Sequence, residues 1–392
     1  MRNGAQKLGR LKSIRLANWR NFQHVNVPLS RRVFLIGPNA SGKSNLLDAI
    51  RFLHDLVAVG GGLQSALTKR GGISKLRCLA ARQYSDISVA VETDASEDGQ
   101  NWQYELVLNQ DSQRRGVIKR EMVTHGAVKI LSRPNEDDRA DPERLTQTSL
   151  EQLQANQKFR AIAAFFAQIR YLHIVPQLVR EPDRSVGRID DPYGGDFLEQ
   201  IAKTQPRTQR ARLRRIQRAL SVAVPQLNSL ELTRDERGTP HLRGNYQHWR
   251  PKGAWQTEED FSDGTLRLLG LLWAVLDGSG PLLLEEPELS LHTEVIRQIP
   301  QLFARLQRRS GRQIITSTHS ATLIDDTGVG IDEVVVLQPT DEGTTVQLAA
   351  QVQDVKALLD DGLSLGEAVM PHTRPEMVEQ LMLFGDEAWP SK

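Results

Sequence analysis

Three features of the sequence predict a mixed α/β fold. Short apolar runs at residues 33–36, 282–284, 314–316 and 334–337 have the length and composition of buried strands. The first enters a glycine-rich turn and then a stretch, 45–57, in which Leu46, Leu47, Ile50, Leu53 and Leu56 recur at helical spacing. Between residues 87 and 131, short alternating runs separated by Gly, Asn and Asp read as an antiparallel meander. The chain has 392 residues, 39% apolar and 25% charged, enough for two or three domains or one composite domain. Its 50 Lys and Arg against 48 Asp and Glu leave a net charge of only +2, so any nucleic-acid surface must come from local clustering. A single cysteine, Cys78, excludes a disulfide framework and a cysteine-built metal cluster. No apolar stretch approaches the ~20 residues that span a bilayer, and none follows the basic N-terminus. The expectation is a cytoplasmic protein with no membrane partner.

In chain order, residues 11–18 and 25–29 read as extended, 33–36 as a buried strand and 45–57 as a helix. Residues 60–76 are glycine-rich and expected to be a mobile loop. The meander comprises runs at 87–92, 102–108, 117–123 and 128–131. Residues 134–144, with Asn135-Glu136-Asp137-Asp138 and two prolines, read as a solvated loop. A helix at 152–169, a strand at 171–175 and a loop at 180–194 follow. A helix spans 197–222, broken near Pro206, before strands at 230–232 and 241–245. Helices at 266–276 and 294–309 alternate with the apolar strands at 282–284, 314–316 and 334–337. The tail shows short amphipathic segments at 355–359, 362–367 and 377–384, either a partner-docking element or helices packed on their own domain.

Gly37-Pro38-Asn39-Ala40-Ser41-Gly42-Lys43-Ser44 fits the P-loop pattern at each fixed position, with a strand before it and a helix entered at Asn45 after it. Glycines let backbone N–H groups turn onto phosphate oxygens, and the helix start adds partial positive charge. Lys43 is placed to bridge the outer phosphates of ATP, and the Ser44 hydroxyl to reach Mg²⁺. Leu282-Leu283-Leu284-Glu285-Glu286 is an apolar strand ending in two carboxylates. Glu285 is the candidate metal ligand, longer than the Asp usual at such a position, and Glu286 the candidate general base. Ser262-Asp263-Gly264-Thr265 opens an apolar helix and forms a second anion cradle, though alone it reads as an ordinary helix cap. His319, in Ser317-Thr318-His319-Ser320 after a buried strand, can stabilise γ-phosphate charge.

In this order the motifs resemble the ABC-type ATPases, in the branch that contains RecF, SMC and OLD proteins. Ser262-Asp263-Gly264-Thr265 resembles the signature, departing from its commonest form at Asp263 and Thr265. Glu288-Leu289-Ser290-Leu291-His292 resembles the D-loop, His319 the switch histidine, and Gln177 stands where the Q-loop glutamine, a metal contact, is expected. Leu16 to Phe22 resembles the segment lying near the adenine, which makes Asn21 and Arg20 candidate nucleotide contacts, while Trp19 and Phe22 are read as core.

The resemblance implies a P-loop NTPase core with an antiparallel β subdomain and an inserted helical lobe. The expected division is 1–135 for the N-terminal ATPase part, 136–255 for the inserted lobe, 256–345 for the C-terminal ATPase part and 346–392 for the tail. It also implies a homodimer, or a higher oligomer built from it, in which Ser262, Gly264 and Thr265 of one subunit close on ATP held by the other. The tail is too short for a Toprim nuclease and lacks an Asp-x-Asp, so an effector would be a separate protein. Three roles follow as alternatives. The first is an ATPase subunit gating such an effector in an anti-phage or toxin-like defence system. The second is a RecF-like ATPase that clamps duplex DNA, and the third a nucleotide-gated scaffold with negligible turnover. At about 100° per residue, Arg207, Arg210, Arg214 and Arg218 share one helix face, opposite Leu213, Ile216 and Leu220. That stripe suits a phosphate backbone or is a solvated face paired to acids elsewhere. A second cluster, Arg305, Arg308, Arg309 and Arg312, reads as solvated surface.

Overall fold

The computed structural model describes residues 9–80, 85–96, 98–185, 191–249 and 253–374. The chain opens with antiparallel strands β1 (Leu11–Trp19) and β2 (Phe22–Pro28), followed by β3 (Arg32–Ile36), buried throughout. Helix α1 (Lys43–Val57) buries Leu46, Leu47, Ile50, Leu53 and Leu56, the residues whose spacing predicts it. The stretch expected to be a mobile loop instead holds two short helices, α2 (Leu63–Thr68) and α3 (Ile73–Leu76). Leu63, Ala66, Leu67, Ile73 and Leu76 are buried, and Arg70 is paired with Asp48 and Asp55 at 2.8 Å each. Apolar burial and a doubly held arginine order a segment whose glycines suggest a loop.

The meander forms as read. Strands β4 (Ile87–Thr93), β5 (Trp102–Gln110), β6 (Gly116–His125) and β7 (Val128–Arg133) are antiparallel, and β1 and β2 extend them in the order β2-β1-β4-β5-β6-β7. The acidic segment that follows is not a solvated loop. It contains α4 (Glu136–Ala140), opened by a capping box between Asn135 and Asp138, and a 3₁₀ turn at Pro142–Thr146. Asp138 is buried because it answers the buried Arg133, which also holds Glu121; the two pairs are 2.8 and 2.9 Å long. The helix expected at 152–169 is shorter. A 3₁₀ turn, Gln157–Phe159, leads into α5 (Arg160–Ala167), which packs on α1.

The strand expected at 171–175 is the short β8 (Arg170–Leu172), and the chain turns at Pro176 into α6 (Pro176–Val179). After α7 (Phe197–Lys203), Pro206 stands in the first turn of α8 (Pro206–Ala223), as the predicted break requires. Strands β9 (Leu227–Arg234), β10 (Pro240–Tyr246) and β11 (Ala254–Thr257) form a small antiparallel sheet, the last strand absent from the sequence reading. Helix α9 (Asp263–Leu276) precedes β12 (Leu282–Glu285). The helix expected at 294–309 is two, α10 (Thr293–Ile296) and α11 (Ile299–Ser310), divided just before Pro300. The remaining elements are β13 (Ile314–Ser317), α12 (Ala321–Ile324), β14 (Val334–Thr340), β15 (Gly343–Leu348), α13 (Gln353–Asp360) and α14 (Leu365–Val369). Val355, Ala368 and Val369 are buried in the chain's own core, so 353–369 is an internal packing element and not a free docking tail. The segment at 377–384, and 186–190 of the loop at 180–194, lie outside the described residues.

The second large sheet has the order β15-β14-β3-β13-β12-β8 and is parallel from β14 to β8. Its strands feed two cores by simple alternation. Val33, Leu35, Leu283, Ile315, Val335 and Leu337 face α1, α5 and the meander. Phe34, Ile36, Leu282, Leu284, Ile314, Val334 and Val336 face α8, α9 and α11. Among the described residues no helix is long and apolar enough to cross a membrane.

Truncating Arg133 to Ala leaves Glu121 buried with hydrogen bonds but no counter-charge and Asp138 with only that of Arg144, at 3.6 Å, and is expected to cost about 3–5 kcal/mol. Urea denaturation measures this; a loss under about 1 kcal/mol, in the range of exposed pairs, would show that the buried triad is dispensable.

Candidate nucleotide-binding and hydrolysis site

Parallel pairing brings the ends of β3, β13 and β12 to one edge of the sheet. The loop after β3 is the Gly37–Ser44 motif. Lys43 Nζ donates to the carbonyls of Gly37, at 2.9 Å, and Pro38, at 3.0 Å, so the loop closes around its own lysine. Burial pushes the Lys43 ammonium down to about 8, against the opposing pull of Glu286, Glu285 and Glu288. Ser41 Oγ is buried with no hydrogen-bond partner, an orphaned polar atom inside a loop built for anions. Asn39, Ala40 and Ser44 are exposed.

Asn21 lies against this loop and braces it. Its Nδ2 donates to Ser41 O at 3.0 Å and to Thr344 Oγ1 at 2.6 Å, while its Oδ1 accepts from Asn45 Nδ2 at 2.7 Å. Gly42 is required here on two grounds. Its φ is +96°, and a Cβ would lie 2.1 Å from Asn21 Nδ2. Asn21 and Asn45, both expected from the P-loop and the segment before it to lie at the nucleotide, are engaged here in holding the loop. Arg20 reaches Asp48 at 3.5 Å, and Trp19 and Phe22 are fully buried, as expected of core residues.

Glu285 ends β12 and accepts hydrogen bonds on both oxygens, from the Ser44 hydroxyl and the Tyr171 hydroxyl. A hydroxyl and a carboxylate set side by side are the hard oxygen donors that Mg²⁺ takes alongside waters and substrate phosphates, so the residues fit that ion. Gln177, the other expected metal contact, stands exposed on the one-turn α6; from this part of the chain Tyr171 reaches the Glu285 carboxylate and His173 Nδ1 lies 3.3 Å from its carbonyl. Nothing in the sequence marks Tyr171 except its place on a strand that pairs with β12. Burial and the Glu285 charge push its phenol well above the ordinary range, which keeps it a donor.

Glu286 follows in a left-handed conformation, φ +44°, its N–H donating to Ser317 O at 3.1 Å. Its carboxylate meets His319 Nε2 at 3.0 Å. The hydrogen bond from His319 holds the Glu286 carboxyl below the usual carboxylate range, so it is ionised at neutral pH. Glu288 is buried, and burial pushes its carboxyl up. One of its oxygens accepts from Thr318 Oγ1 and from the His319 N–H, at 3.2 Å for the latter, tying the Glu288 segment to the histidine loop. Neither Thr318 nor this role of Glu288 was apparent in the sequence, because the contact spans 30 residues.

Ser262 caps α9, its Oγ accepting from Thr265 N at 3.2 Å, and Arg180 holds the cap through Phe261 O and Asp263 Oδ1 at 2.6 Å each. A Cβ on Gly264 would lie 2.5 Å from Ser290 O, so glycine allows this helix start to press on the segment after Glu288. Arg207, Arg210, Arg214 and Arg218 are all exposed on α8, away from this edge, while Leu213, Ile216 and Leu220 are buried.

The family described as AAA domain, putative AbiEii toxin, Type IV TA system matches residues 32–325. The DNA replication and repair protein RecF of Picosynechococcus sp. is 35% identical over 79 residues, 20% of this chain and 20% of that protein, so the chain matches a fifth of that relative's length. Among solved structures, an Smc head bound to the C-winged helix domain of ScpA gives a TM-score of 0.53 at 14% identity, covering 86% of this chain and 96% of that one. The Smc head of Pyrococcus furiosus, with an extended coiled coil and bound to the C-terminal domain of ScpA, gives 0.53 at 12% identity, with 90% and 99% covered. That of Pyrococcus yayanosii gives 0.51 at 12% identity, with 91% and 100% covered. At these identities the likeness is one of fold.

Asn21→Ala removes the brace without touching a phosphate-loop residue. It is expected to weaken ATP and ADP binding by the same factor, about fivefold for a loss of about 1 kcal/mol. Titration with a fluorescent nucleotide checks this, and unchanged affinity would show that the loop holds its shape without Asn21.

Proposed function

We propose, for a chain that belongs to the AAA-domain family described as putative AbiEii toxin, Type IV TA system, and that is an ABC-type ATPase of the RecF/SMC type, that it binds and hydrolyses ATP as a dimeric switch controlling a separate effector. The observation that carries the reading is the Glu286–His319 pair, 3.0 Å apart, on the sheet edge that also carries Lys43 and Glu285. Lys43 exchanges the carbonyls of Gly37 and Pro38 for the outer phosphates of ATP. Ser44 and Glu285 would hold Mg²⁺, which when bound would neutralise charge on those phosphates. Glu286, kept ionised, accepts a hydrogen bond from the attacking water and then its proton; His319 orients Glu286 and faces the charge that develops on the γ-phosphate.

The dimer reading draws on α9. Its N-terminus carries Ser262, Gly264 and Thr265, and Gly264 lies against Ser290 of its own chain, not against residues 37–44. A second subunit would bring this cradle to the γ-phosphate, and the reward for closing would vanish on hydrolysis. The effector reading draws on the family description. The DNA-clamping alternative draws on α8, where Arg207, Arg210, Arg214 and Arg218 are exposed and, among the described residues, none lies within ion-pair distance of a carboxylate.

The test is ATP turnover with and without duplex DNA, with particle mass read by light scattering. Glu286→Gln is expected to lower kcat by about 100-fold or more while ATP-bound dimers persist. ATP binding by the unaltered chain without turnover would replace the switch with a scaffold. Turnover that rises with DNA would favour the clamp over the effector reading.

A further inference from the structure

The two basic clusters of the sequence, 90 residues apart, converge in the fold. Arg215 of α8 faces Arg305 and Arg309 of α11 across a cleft of about 470 Å³, with Arg312 and the end of α9 forming its inner wall. The size falls in the range of small-ligand sites, roughly 300–1,000 Å³. Leu276 and Leu302 give it an apolar side.

Among the described residues no carboxylate lies within ion-pair distance of Arg215, Arg305 or Arg309. Asp277, at the end of α9, is taken by Arg212 at 2.7 Å. Arg312 is 1% exposed. Its Nε donates to Gly280 O at 2.8 Å, and its Nη1 to Ala274 O and Asp277 O at 2.6 Å each, which caps the C-terminal end of α9. Its Nη2 is buried without a partner and faces Gly278 on the cleft wall, 3.4 Å from where a Cβ would stand. Burial lowers the Arg312 guanidinium to about 10 against the pull of Asp277, and Arg170 and Arg212 push the same way as burial. A helix-dipole role explains Arg309, in the last turn of α11, and the Nη1 donor of Arg312. It explains neither Arg305 nor Arg215, nor a guanidinium N–H left buried and unpaired.

The geometry points to a phosphate-binding site in this cleft, separate from the P-loop. Guanidinium forks match phosphate oxygens bidentately, and three of them converging from two helices can share one or two phosphate groups. The apolar side and the volume suit a phosphate carried on a larger scaffold. Two sources supply that chemistry. One is a nucleic-acid backbone, which would continue from the cleft onto the exposed α8 row, since Arg215 lies about 100° round the helix from Arg214. The other is a free organic phosphate or polyphosphate. The site does not rest on the ATPase reading.

The test uses the full chain carrying Lys43→Ala, so that the P-loop does not compete for the probe. Short duplex DNA and inorganic tripolyphosphate are titrated into this parent, into Arg305→Ala/Arg309→Ala, and into Arg207→Ala/Arg210→Ala on the outer row. Both substituted pairs are exposed, so unshifted melting transitions confirm the fold. At least one probe is expected to bind the parent and to bind the cleft variant at least tenfold more weakly. If duplex is that probe, the source is a backbone, and the cleft variant also lowers the salt slope by about 2, for two lost phosphate contacts. If tripolyphosphate is, with one bound per chain, the source is a free phosphate. Equal binding by parent and cleft variant, loss confined to the outer-row variant, or no binding of either probe would overturn the proposal. In the second case the DNA-clamping reading survives without the cleft.

Discussion

The register of three parallel strands holds the molecule together and makes the site. In β3, β13 and β12, Leu35 pairs with Ser317 and Ser317 with Glu285. The ladder continues past the strand ends, with Thr318 N donating to Leu35 O at 3.0 Å and Glu286 N to Ser317 O at 3.1 Å. These hydrogen bonds set the phosphate loop, the two carboxylates and the histidine at one level, although they come from residues nearly 300 apart. The same register sends Val33 and Leu35 to one core and Phe34 and Ile36 to the other. A slip of one residue would exchange the faces of every strand, so neither core nor site can drift without breaking the others. Between Gly37 and Pro281 the chain gives this sheet only the short edge strand β8, so that stretch can hold a whole meander and a helical layer.

Within that frame one short acidic segment does three separate tasks. Glu285 keeps both oxygens engaged by hydroxyl donors, Ser44 and Tyr171. Glu286 is held ionised by His319. Glu288 is buried and drawn toward its neutral form, and it fastens the loop that carries His319. All three carboxylates pull on the Lys43 ammonium, but each has its own hydrogen-bond partners: Ser44 and Tyr171 for Glu285, His319 for Glu286, Thr318 for Glu288. Environment, not residue type, separates their roles.

The parts of this arrangement that were legible in the sequence are local ones. A P-loop is contiguous, and strand and helix periods for 33–36, 45–57 and 266–276 need only a short window. What escaped depends on pairing across distance. Residues 63–76 look like a loop until Arg70 is seen between Asp48 and Asp55. The acids after β7 look solvated until Arg133 is placed among them. Asn21 was read as touching nucleotide because it precedes the P-loop by one strand, yet its three hydrogen bonds go to the loop and to Thr344, 323 residues on. Tyr171 could not be found at all without knowing that β8 lies beside β12.

Net charge hid the most from a linear reading. A total of +2 suggests that basic runs are balanced by acids somewhere. The acids are instead spent on particular buried or half-buried arginines: Glu333 on Arg32, Asp48 and Asp55 on Arg70, Glu121 and Asp138 on Arg133, Asp263 on Arg180. Each of these pairs joins segments that must stay together, so the carboxylates cannot also serve the surface. Apart from Arg212, held by Asp277, the arginines of α8 and α11 keep a positive field that salt screens and, among the described residues, no ion pair cancels. Near-neutrality overall is therefore compatible with a cationic face, because the balancing carboxylates lie elsewhere, partly in these pairs and partly at exposed positions such as Asp341, Glu342, Asp360 and Asp361.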